Sequence, residues 1–280
     1  MIARLFAHEM RKLVARKRSW IGFAAFFALQ IAILALLQLP KPKREIGRLL
    51  EQNALGFEDH YMGMTLAIVI IAFTFTLLGA LYVALVGGDI VAKEVEEGTM
   101  RMILSRPIRR IELLGVKFAA VCVYTFALVV FLGVVALLFA SAYRGGLGKL
   151  FIFLPDEGLF ASYDTWEGLW RYARSMVCLA YGTLTVAAVA FMFSCFPMKP
   201  VSATVLTLSL FVADVILRNL PYFRSIQEWF ISHHIGFWVR TYHEYPPWHE
   251  IAVSIGVIAA VSATAFAIGT AVFCTRDLKS

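Results

Sequence analysis

The sequence predicts an all-α membrane protein with six transmembrane helices. Of its 280 residues, 60% are hydrophobic and only 16% are charged, whereas soluble domains carry about 25% charged residues. Five apolar runs also reach the roughly 20 residues that a helix needs to cross a bilayer, and a sixth is slightly shorter. The predicted spans are 20–39, 64–86, 118–142, 176–196, 201–217 and 251–274. We therefore expect a single transmembrane domain over residues 1–280.

The segment before the first span, residues 1–18, is predicted to be a basic amphipathic connecting helix. Its apolar residues recur at helical spacing, and Arg4, Arg11 and Lys12 lie between them. Such a helix suits the surface of an anionic inner leaflet. A basic flank that only orients the first span is the alternative.

The distribution of charge predicts the orientation. Six spans put both termini on one side, and the segments on that side hold 15 of the 26 Lys and Arg residues. Basic residues favour the cytoplasmic side, so we expect a multi-pass membrane protein with both termini in the cytoplasm. The net charge of +7 then reflects topology, and we expect membrane lipids but no nucleic acid as partners.

Three longer segments are predicted on the outer side. Residues 40–62 include a short helix over about 44–52, and residues 143–173 mix glycine-rich turns with aromatic residues. Residues 218–250 are rich in aromatic side chains at helical spacing. This last pattern predicts one or two interfacial or re-entrant helices before the final span, broken near residues 246–247.

Few side chains of the spans or outer segments suggest chemistry. Asp214 lies near the outer end of the fifth span, and Arg218 is four residues later on the same face of a helix. A local pair at the membrane surface is one interpretation, and a substrate pathway is the other. Four histidines share the segment 218–250, but they lack the spacing of a zinc site, so we predict no metal site. The four cysteines all fall in predicted spans and are expected to be buried apolar residues.

The connection between the second and third spans, residues 89–110, is unusually charged. We expect a helix over about 91–104, interrupted at Gly98 and Thr99 and ended by Pro107. Such an element, tied to two spans, could transmit movement from a soluble partner. An ordinary solvated connection is the simpler alternative.

The stretch DIVAKEVEEGTMRMILSRPIRRIELLGVKF, residues 89–118, resembles the second inner segment of ABC transporter permeases of the type 2 exporter family. In that family an acid-x-x-x-E-x-E-x-G-T run is followed by L-S-x-P-x-x-R and by a lysine that opens the next span. The matching positions are Asp89, Glu94, Glu96 or Glu97, Gly98, Thr99, Leu104, Ser105, Pro107, Arg110 and Lys117. The N-terminal helix, the outer segment 218–250 and an F-x-x-R-D ending (Phe273, Arg276, Asp277) also resemble the family. The outer loop 143–173 is longer than a minimal connection.

The resemblance implies a non-catalytic membrane subunit of an ATP-driven exporter in the bacterial or archaeal cytoplasmic (inner) membrane. Two permease subunits, identical or related, would associate with two ABC ATPase subunits that bind ATP and Mg. This chain has no G-x-x-x-x-G-K-[ST] run with which to hold a nucleotide itself. The implied ATPase-coupling residues are Glu94, Glu96, Glu97, Gly98, Thr99, Arg101 and Pro107. Glu97 in particular is expected to be exposed in the isolated subunit.

Two other functions remain as alternatives. Glu96, Glu97 and Arg101 match E-E-x-x-x-R, and Phe230 with His234 matches F-x-x-x-H, as in intramembrane proteases. The predicted topology separates the two motifs by about 30 Å, whereas general-base catalysis requires contact within about 3 Å. A self-contained transporter outside the ABC class is the second alternative.

Overall fold

The computed structural model describes residues 2–39, 62–105, 108–154 and 159–275; of residues 18, 77, 101 and 104 only the backbone is described. Within these ranges the α-helices are α1 (Ile2–Ala15), α2 (Lys17–Leu37), α3 (Gly63–Thr74), α4 (Ala80–Glu96), α5 (Thr99–Leu104), α6 (Arg110–Arg144), α7 (Thr165–Ser194), α8 (Pro200–Asn219), α9 (Ile231–Ile235) and α10 (Trp248–Thr275). The strands are β1 (Leu150–Leu154) and β2 (Leu159–Tyr163). The predicted helix at 44–52 lies outside the described residues, as do Arg276 and Asp277.

Five described helices are long and apolar enough to cross a membrane, namely α2, α6, α7, α8 and α10. They correspond to the first, third, fourth, fifth and sixth predicted spans. The second predicted span is a helical run in which a π-helix, Phe75–Gly79, joins α3 to α4. The π turn divides the run into helices of 12 and 17 residues, so the structure supports a helical membrane protein without showing six separate spans.

The helices form an antiparallel bundle, and its two ends can be named after the predicted orientation. The inner end holds the C-termini of α4, α7 and α10 and the N-termini of α6 and α8, and the outer end is opposite. At the inner end, the guanidinium of Arg110 donates to the carbonyl of Cys274 at 3.1 Å, which ties the start of α6 to the end of α10. α6 has 35 residues and is therefore about 52 Å long, longer than the hydrocarbon core.

α7 is the central helix, and about two thirds of its most apolar stretch is buried. Helix α4 approaches it closely, because a Cβ on Gly87 would lie 2.8 Å from the Cβ of Ala190. Likewise, a Cβ on Gly88 would lie 2.7 Å from the hydroxyl of Thr204 on α8. Small residues permit this close packing of helices in a membrane. By contrast, only about a fifth of the apolar stretch of α2, α8 or α10 is buried.

The outer segment 143–173 contains a short β-hairpin that the sequence did not predict, within a chain that is otherwise helical as expected. β1 and β2 pair antiparallel, with Leu150 opposite Tyr163 and Leu154 opposite Leu159. Aromatic and aliphatic residues dominate both strands, as is typical of β structure. The hairpin packs on α7 where Gly168 leaves room: a Cβ there would lie 2.6 Å from the Cβ of Leu150.

The outer segment before the last span is helical, as predicted, but in shorter pieces. A 3₁₀-helix (Pro221–Trp229), α9 and a second 3₁₀-helix (Gly236–Tyr242) follow one another. The first break falls at Phe230, whose backbone is extended, and not only near residues 246–247. The segment reaches into the bundle, because the carbonyl of Ile235 would lie 3.0 Å from a Cβ on Gly182, within α7.

Candidate coupling site

The predicted coupling segment begins as the last turns of α4. The expected helix over 91–104 is therefore two elements: α4 continues to Glu96, and the short helix α5 starts at Thr99. Gly98 joins them with a φ of 72°, a left-handed conformation that glycine adopts without steric cost. Pro107 lies outside the described residues, and of Arg101 only the helical backbone is described.

The corner between α4 and α5 presents an exposed surface, which we call the coupling face: Glu96, Glu97, Gly98, Thr99 and Met102. Glu96, Glu97 and Gly98 are exposed, and Thr99 is half-buried. The expectation that Glu97 is exposed is confirmed, since 53% of its side chain is accessible. Its Oε1 lies 3.8 Å from the Nζ of Lys93, one turn earlier on α4. Met102 is 67% exposed on α5. The coupling face is thus acidic with an apolar edge.

Glu94 lies on the opposite side of α4 and is 1% exposed. Direct contact with a soluble partner, as expected from the resemblance, requires accessible atoms that its side chain does not offer. Its backbone carbonyl instead accepts a hydrogen bond from the hydroxyl of Thr99 at 3.3 Å. Glu94 therefore faces the bundle, directly behind the coupling face.

Four charged side chains meet there and form what we call the inner charge cluster: Glu9, Lys12, Glu94 and Lys117. The Lys117 Nζ lies 2.9 Å from Oε2 of Glu9 and 2.8 Å from Oε2 of Glu94. The Lys12 Nζ lies 2.5 Å from Oε1 of Glu94 and 3.7 Å from Oε1 of Glu9. Lys117 and Glu9 are fully buried. Two cations and two anions thus neutralise one another where single charges would be very costly.

Electrostatics within the cluster favour the ionised form of Glu94. Burial alone raises the pKa of this carboxyl, but the neighbouring charges and hydrogen bonds of Lys117 and Lys12 outweigh burial, so its pKa falls below 4.5. A lowered carboxyl pKa stabilises the fold at pH values above the ordinary pKa, and this contribution is lost as the pH falls through the lowered value. Glu94 is therefore ionised at neutral pH.

The inner charge cluster connects three elements that are far apart in the sequence. Glu9 and Lys12 belong to α1, Glu94 to α4 and Lys117 to α6. The predicted amphipathic helix is present as α1, but part of its apolar face packs against the protein. Leu13 is 2% exposed, and Leu5, Phe6 and Met10 pack against the core.

Sequence reasoning missed Glu9 and Lys12 as members of this site. One signal was available for Glu9, because it lies four residues after Leu5 and four before Leu13 on the apolar face of α1. An acid at that spacing indicates a buried partner of opposite charge. The identity of that partner, 108 residues away, could not be read from spacing.

Asp214 supports the outer segment. One carboxylate oxygen accepts the backbone N–H of Ile231 at 3.0 Å, and the other accepts that of Ser232 at 2.7 Å. These N–H groups open α9 and have no partner within the helix. Arg218 donates to the carbonyl of Ser232 at 2.8 Å. The expected neighbours Asp214 and Arg218 thus act on the same short helix.

Two histidines of the outer segment, His233 and His234, bond to protein groups. His234 is buried, with Nδ1 3.1 Å from the hydroxyl of Ser254 and Nε2 2.9 Å from the carbonyl of Glu228. The His233 Nε2 lies 2.8 Å from the Arg240 guanidinium. Among the described residues, the structure brings no three His, Cys, Asp or Glu side chains into a group that could hold a metal.

The protease alternative is not supported by the arrangement of its residues. Glu96 and Glu97 lie at the inner end of α4. His234 contacts Ser254, which lies six residues after the first residue of α10, so His234 is near the outer end of the bundle. Both ring nitrogens of His234 are within hydrogen-bond distance of protein groups.

A comparison with protein families decides the identity. The sequence model described as "ABC-2 family transporter protein" matches residues 3–278, which is nearly the whole chain. The chain belongs to the ABC-2 family. It is therefore a multi-pass membrane permease subunit of an ABC transporter, of the type that associates with ABC ATPase subunits. Membership also agrees with the resemblance at residues 89–118. A comparison with curated proteins finds no match.

Proposed function

We propose that this ABC-2 permease is the six-span subunit of an ATP-driven exporter and that a separate ATPase moves it through the coupling face. Both termini would lie in the cytoplasm, and two permease subunits, identical or related, would work with two ATPase subunits. ATP and Mg would be bound by those partners. The observation that carries the proposal is the position of the exposed coupling face directly in front of the buried inner charge cluster.

The coupling face has the properties of a partner-binding corner. Glu96 and Glu97 are exposed acids at the end of α4. The positive φ of Gly98 lets the backbone change direction there, so that α5 turns away from α4, and Gly98 places no side chain at this corner. Met102 adds an apolar contact, a type of side chain that adapts to varied surfaces. We assign contact with the ATPase to Glu96, Glu97, Gly98 and Thr99, together with the neighbouring Arg101 and Pro107.

Glu94 takes a different role in this proposal, as a transmitting residue. It lies two residues before Glu96 on the same helix, so movement of the coupling face also moves its carboxylate. Because Lys117 is held between Glu94 and Glu9, displacement of α4 would carry α6 and α1 with it. The ion pairs are buried and little screened, which makes the three helices a single mechanical unit.

Asp214 receives a positioning role and not a place in the substrate pathway. Both of its carboxylate oxygens already accept backbone hydrogen bonds from the start of α9. A substrate cation would have to compete with these bonds for the same oxygens. We propose that Asp214 holds the outer segment in place as the helices move.

Co-purification tests the proposed coupling. The tagged chain is extracted from its native membrane in mild detergent, and the proteins that accompany it are identified. We expect a P-loop ATPase. The double variant Glu96→Ala/Glu97→Ala should recover about tenfold less of it, with unchanged permease in the membrane.

A matched control removes two exposed acids from the outer end of the bundle. Asp164 and Glu167 have side chains that are 85% and 53% exposed, and their double alanine variant should retain the ATPase. Absence of any ATPase from the wild-type sample would contradict the proposal and favour a self-contained transporter. Equal loss in both double variants would show that the coupling face is not the contact.

A further inference from the structure

The second predicted span contains a π turn, Phe75–Gly79, between α3 and α4. Such turns are rare, each holds one residue more than the α-helical turn that it replaces, and they are frequent at functional sites and at helix kinks. The coupling described above gives this turn no role, although α4 runs from the turn to the coupling face. A force on the coupling face is therefore transmitted along α4 toward the π turn.

The helix before the π turn, α3, is held to the outer hairpin region. The backbone N–H of Met64 donates to the carbonyl of Leu147 at 3.0 Å. The hydroxyl of Thr65 accepts the backbone N–H of Phe151, on β1, at 2.9 Å. Because the hairpin itself packs on the outer start of α7, these bonds fix the outer half of the second span.

The helix after the π turn, α4, has its polar contacts nearer the inner end. The hydroxyl groups of Tyr82 and of Tyr124, on α6, lie 2.8 Å apart, and Glu94 belongs to the inner charge cluster. The two halves of the second span are thus joined by hydrogen bonds to different parts of the molecule. The π turn lies where these two parts meet.

The π turn has a counterpart in α6 at the same depth in the bundle. Tyr82 lies opposite Tyr124 and the two helices are antiparallel, so the π turn, three to seven residues before Tyr82, is opposite residues 127–131. Leu132 and Gly133 follow directly on α6. These two residues and the π turn therefore lie near one level of the membrane.

The carbonyls of Leu132 and Gly133 accept hydrogen bonds from two other helices. The side-chain amide of Gln30 on α2, which is fully buried, donates to Leu132 at 3.2 Å. The hydroxyl of Tyr172 on the central helix α7 donates to Gly133 at 2.7 Å. The two bonds fix α6 to its neighbours at this point, and glycine is, after proline, the residue that least favours a helix. α6 can therefore bend here while it stays attached.

We propose that the π turn is a hinge, about which α4 changes its angle to α3 when the ATPase acts on the coupling face. The inner part of α6, which carries Lys117, moves with α4 and bends about Leu132 and Gly133, while α3 and the hairpin stay in place. A regular α-helix would resist this bending, whereas π-bulges are among the few places where helices kink sharply. The inference rests on the proposed coupling, which supplies the movement.

Deletion of Thr76 tests the hinge. Removal of one residue from the five-residue π turn should restore a regular α-helix and keep the faces of α3 and α4 in register. The side chain of Thr76 is exposed, and its hydroxyl donates to the carbonyl of Ala72, one turn earlier on the same helix. Thr76→Ala is the matched control, because it removes the same hydroxyl but leaves the π turn in place.

The experiment uses the full complex in membranes, with spin labels at Ile111→Cys on α6 and Phe160→Cys on β2 and with the native cysteines replaced. These positions are 61% and 55% exposed. The distance between the labels is measured without nucleotide and with ATP held by a hydrolysis-deficient ATPase. We expect ATP to shift it by several Å with the native π turn and in Thr76→Ala. In the deletion variant the shift should be at most about half as large, because a stiffened α4 restrains α6 through Lys117.

The deletion variant should also recover as much ATPase and unfold at the same temperature or a higher one, because its coupling face and its contacts between helices are unchanged. An equal distance shift in the deletion variant would overturn the hinge. So would a lower unfolding temperature with Thr76→Ala unaffected, since the π turn would then serve packing. Absence of the ATPase, or of any shift with the native π turn, would contradict the coupling itself and the hinge with it.

Discussion

The inner and outer ends of this ABC-2 permease are held together by different kinds of contact. At the inner end, charged side chains of α1, α4 and α6 form ion pairs with one another in the inner charge cluster. At the outer end, charged side chains bond to backbone groups of other segments: Asp214 to the start of α9, Arg171 to the carbonyl of His243 and Arg174 to that of Thr241. The outer ion pairs, such as Arg240 with Glu250, involve exposed acids. Long helices meet at one end, and short irregular ones at the other.

This difference follows from the backbone. A long helix satisfies its own N–H and C=O groups, so the contacts between long helices can use side chains alone. Short 3₁₀- and α-helices leave a large share of backbone groups without partners, and within a bundle these groups need side chains to bond them. The inner end therefore suits movement of whole helices, whereas the outer segment is fixed piece by piece in one shape.

The largest effect is expected where one charge of the inner cluster is removed. Lys117→Met leaves Glu9 and Glu94 buried without the cation between them, and breaking a buried pair costs about 3–5 kcal/mol. We expect a lower thermal unfolding temperature and less protein in the membrane. Lys93→Met is the control: its pair with Glu97 is partly exposed and such pairs contribute about 0–1 kcal/mol. Equal unfolding temperatures for the two variants would show that the cluster does not hold the inner end.

A smaller and local effect is expected at the outer end. Asp214→Asn keeps the size of the side chain but replaces one accepting oxygen with a donor that faces a backbone N–H. The loss is about 1–2 kcal/mol, as for a helix cap. Hydrogen exchange should accelerate in residues 231–235 and remain unchanged at the inner end. Asp164→Asn, at an 85% exposed side chain, should leave exchange unaltered; a change spread over the whole bundle in Asp214→Asn would contradict a local role.

The smallest expected effect is a pH dependence of the outer segment. Burial, Arg240, His234 and Arg218 lower the pKa of His233 below 6.5, and Glu228 opposes them. Because the folded segment disfavours the protonated ring, its stability should fall as the pH drops below 6.5.

Exchange rates of residues 231–242, corrected for intrinsic rates, should rise a few-fold between pH 7.5 and pH 5.5. In His233→Gln, an amide oxygen can still accept from Arg240 but does not titrate. The rise should therefore disappear in this variant, and its persistence would assign the pH dependence to another group.

The helices of the fold could be predicted from the sequence because the bilayer fixes their length and apolar composition. α2, α6, α7, α8 and α10 overlap the predicted spans. The parts of α6 and α7 that extend beyond the hydrocarbon region could not be predicted in the same way, because the apolar composition that marks a span ends at the membrane surface. The hairpin was missed because its strands are only five residues each and lie in a segment that was read as glycine-rich turns with aromatic residues.

The candidate site was predictable only on its exposed side. The run around Glu96, Glu97 and Gly98 is contiguous in the sequence, so its pattern could be recognised as a unit. The buried side depends on three segments that meet only in the folded chain, and spacing along one helix carries no information about such partners. For the same reason Glu94 was grouped with its exposed neighbours, although it faces the opposite side of α4.

We propose that α1, α4 and α6 move as one body when the ATPase acts on the coupling face. The distance between spin labels at Arg11→Cys and Ile111→Cys tests it most directly, because both positions are exposed and lie on α1 and α6. The four native cysteines are first replaced, and the complex is measured without nucleotide and with ATP held by a hydrolysis-deficient ATPase. If the three helices move as one body, the distance distribution should be narrow and the same in both states, and it should be broad in Lys117→Met. A shift of the distance on ATP binding, with Lys117 in place, would contradict it.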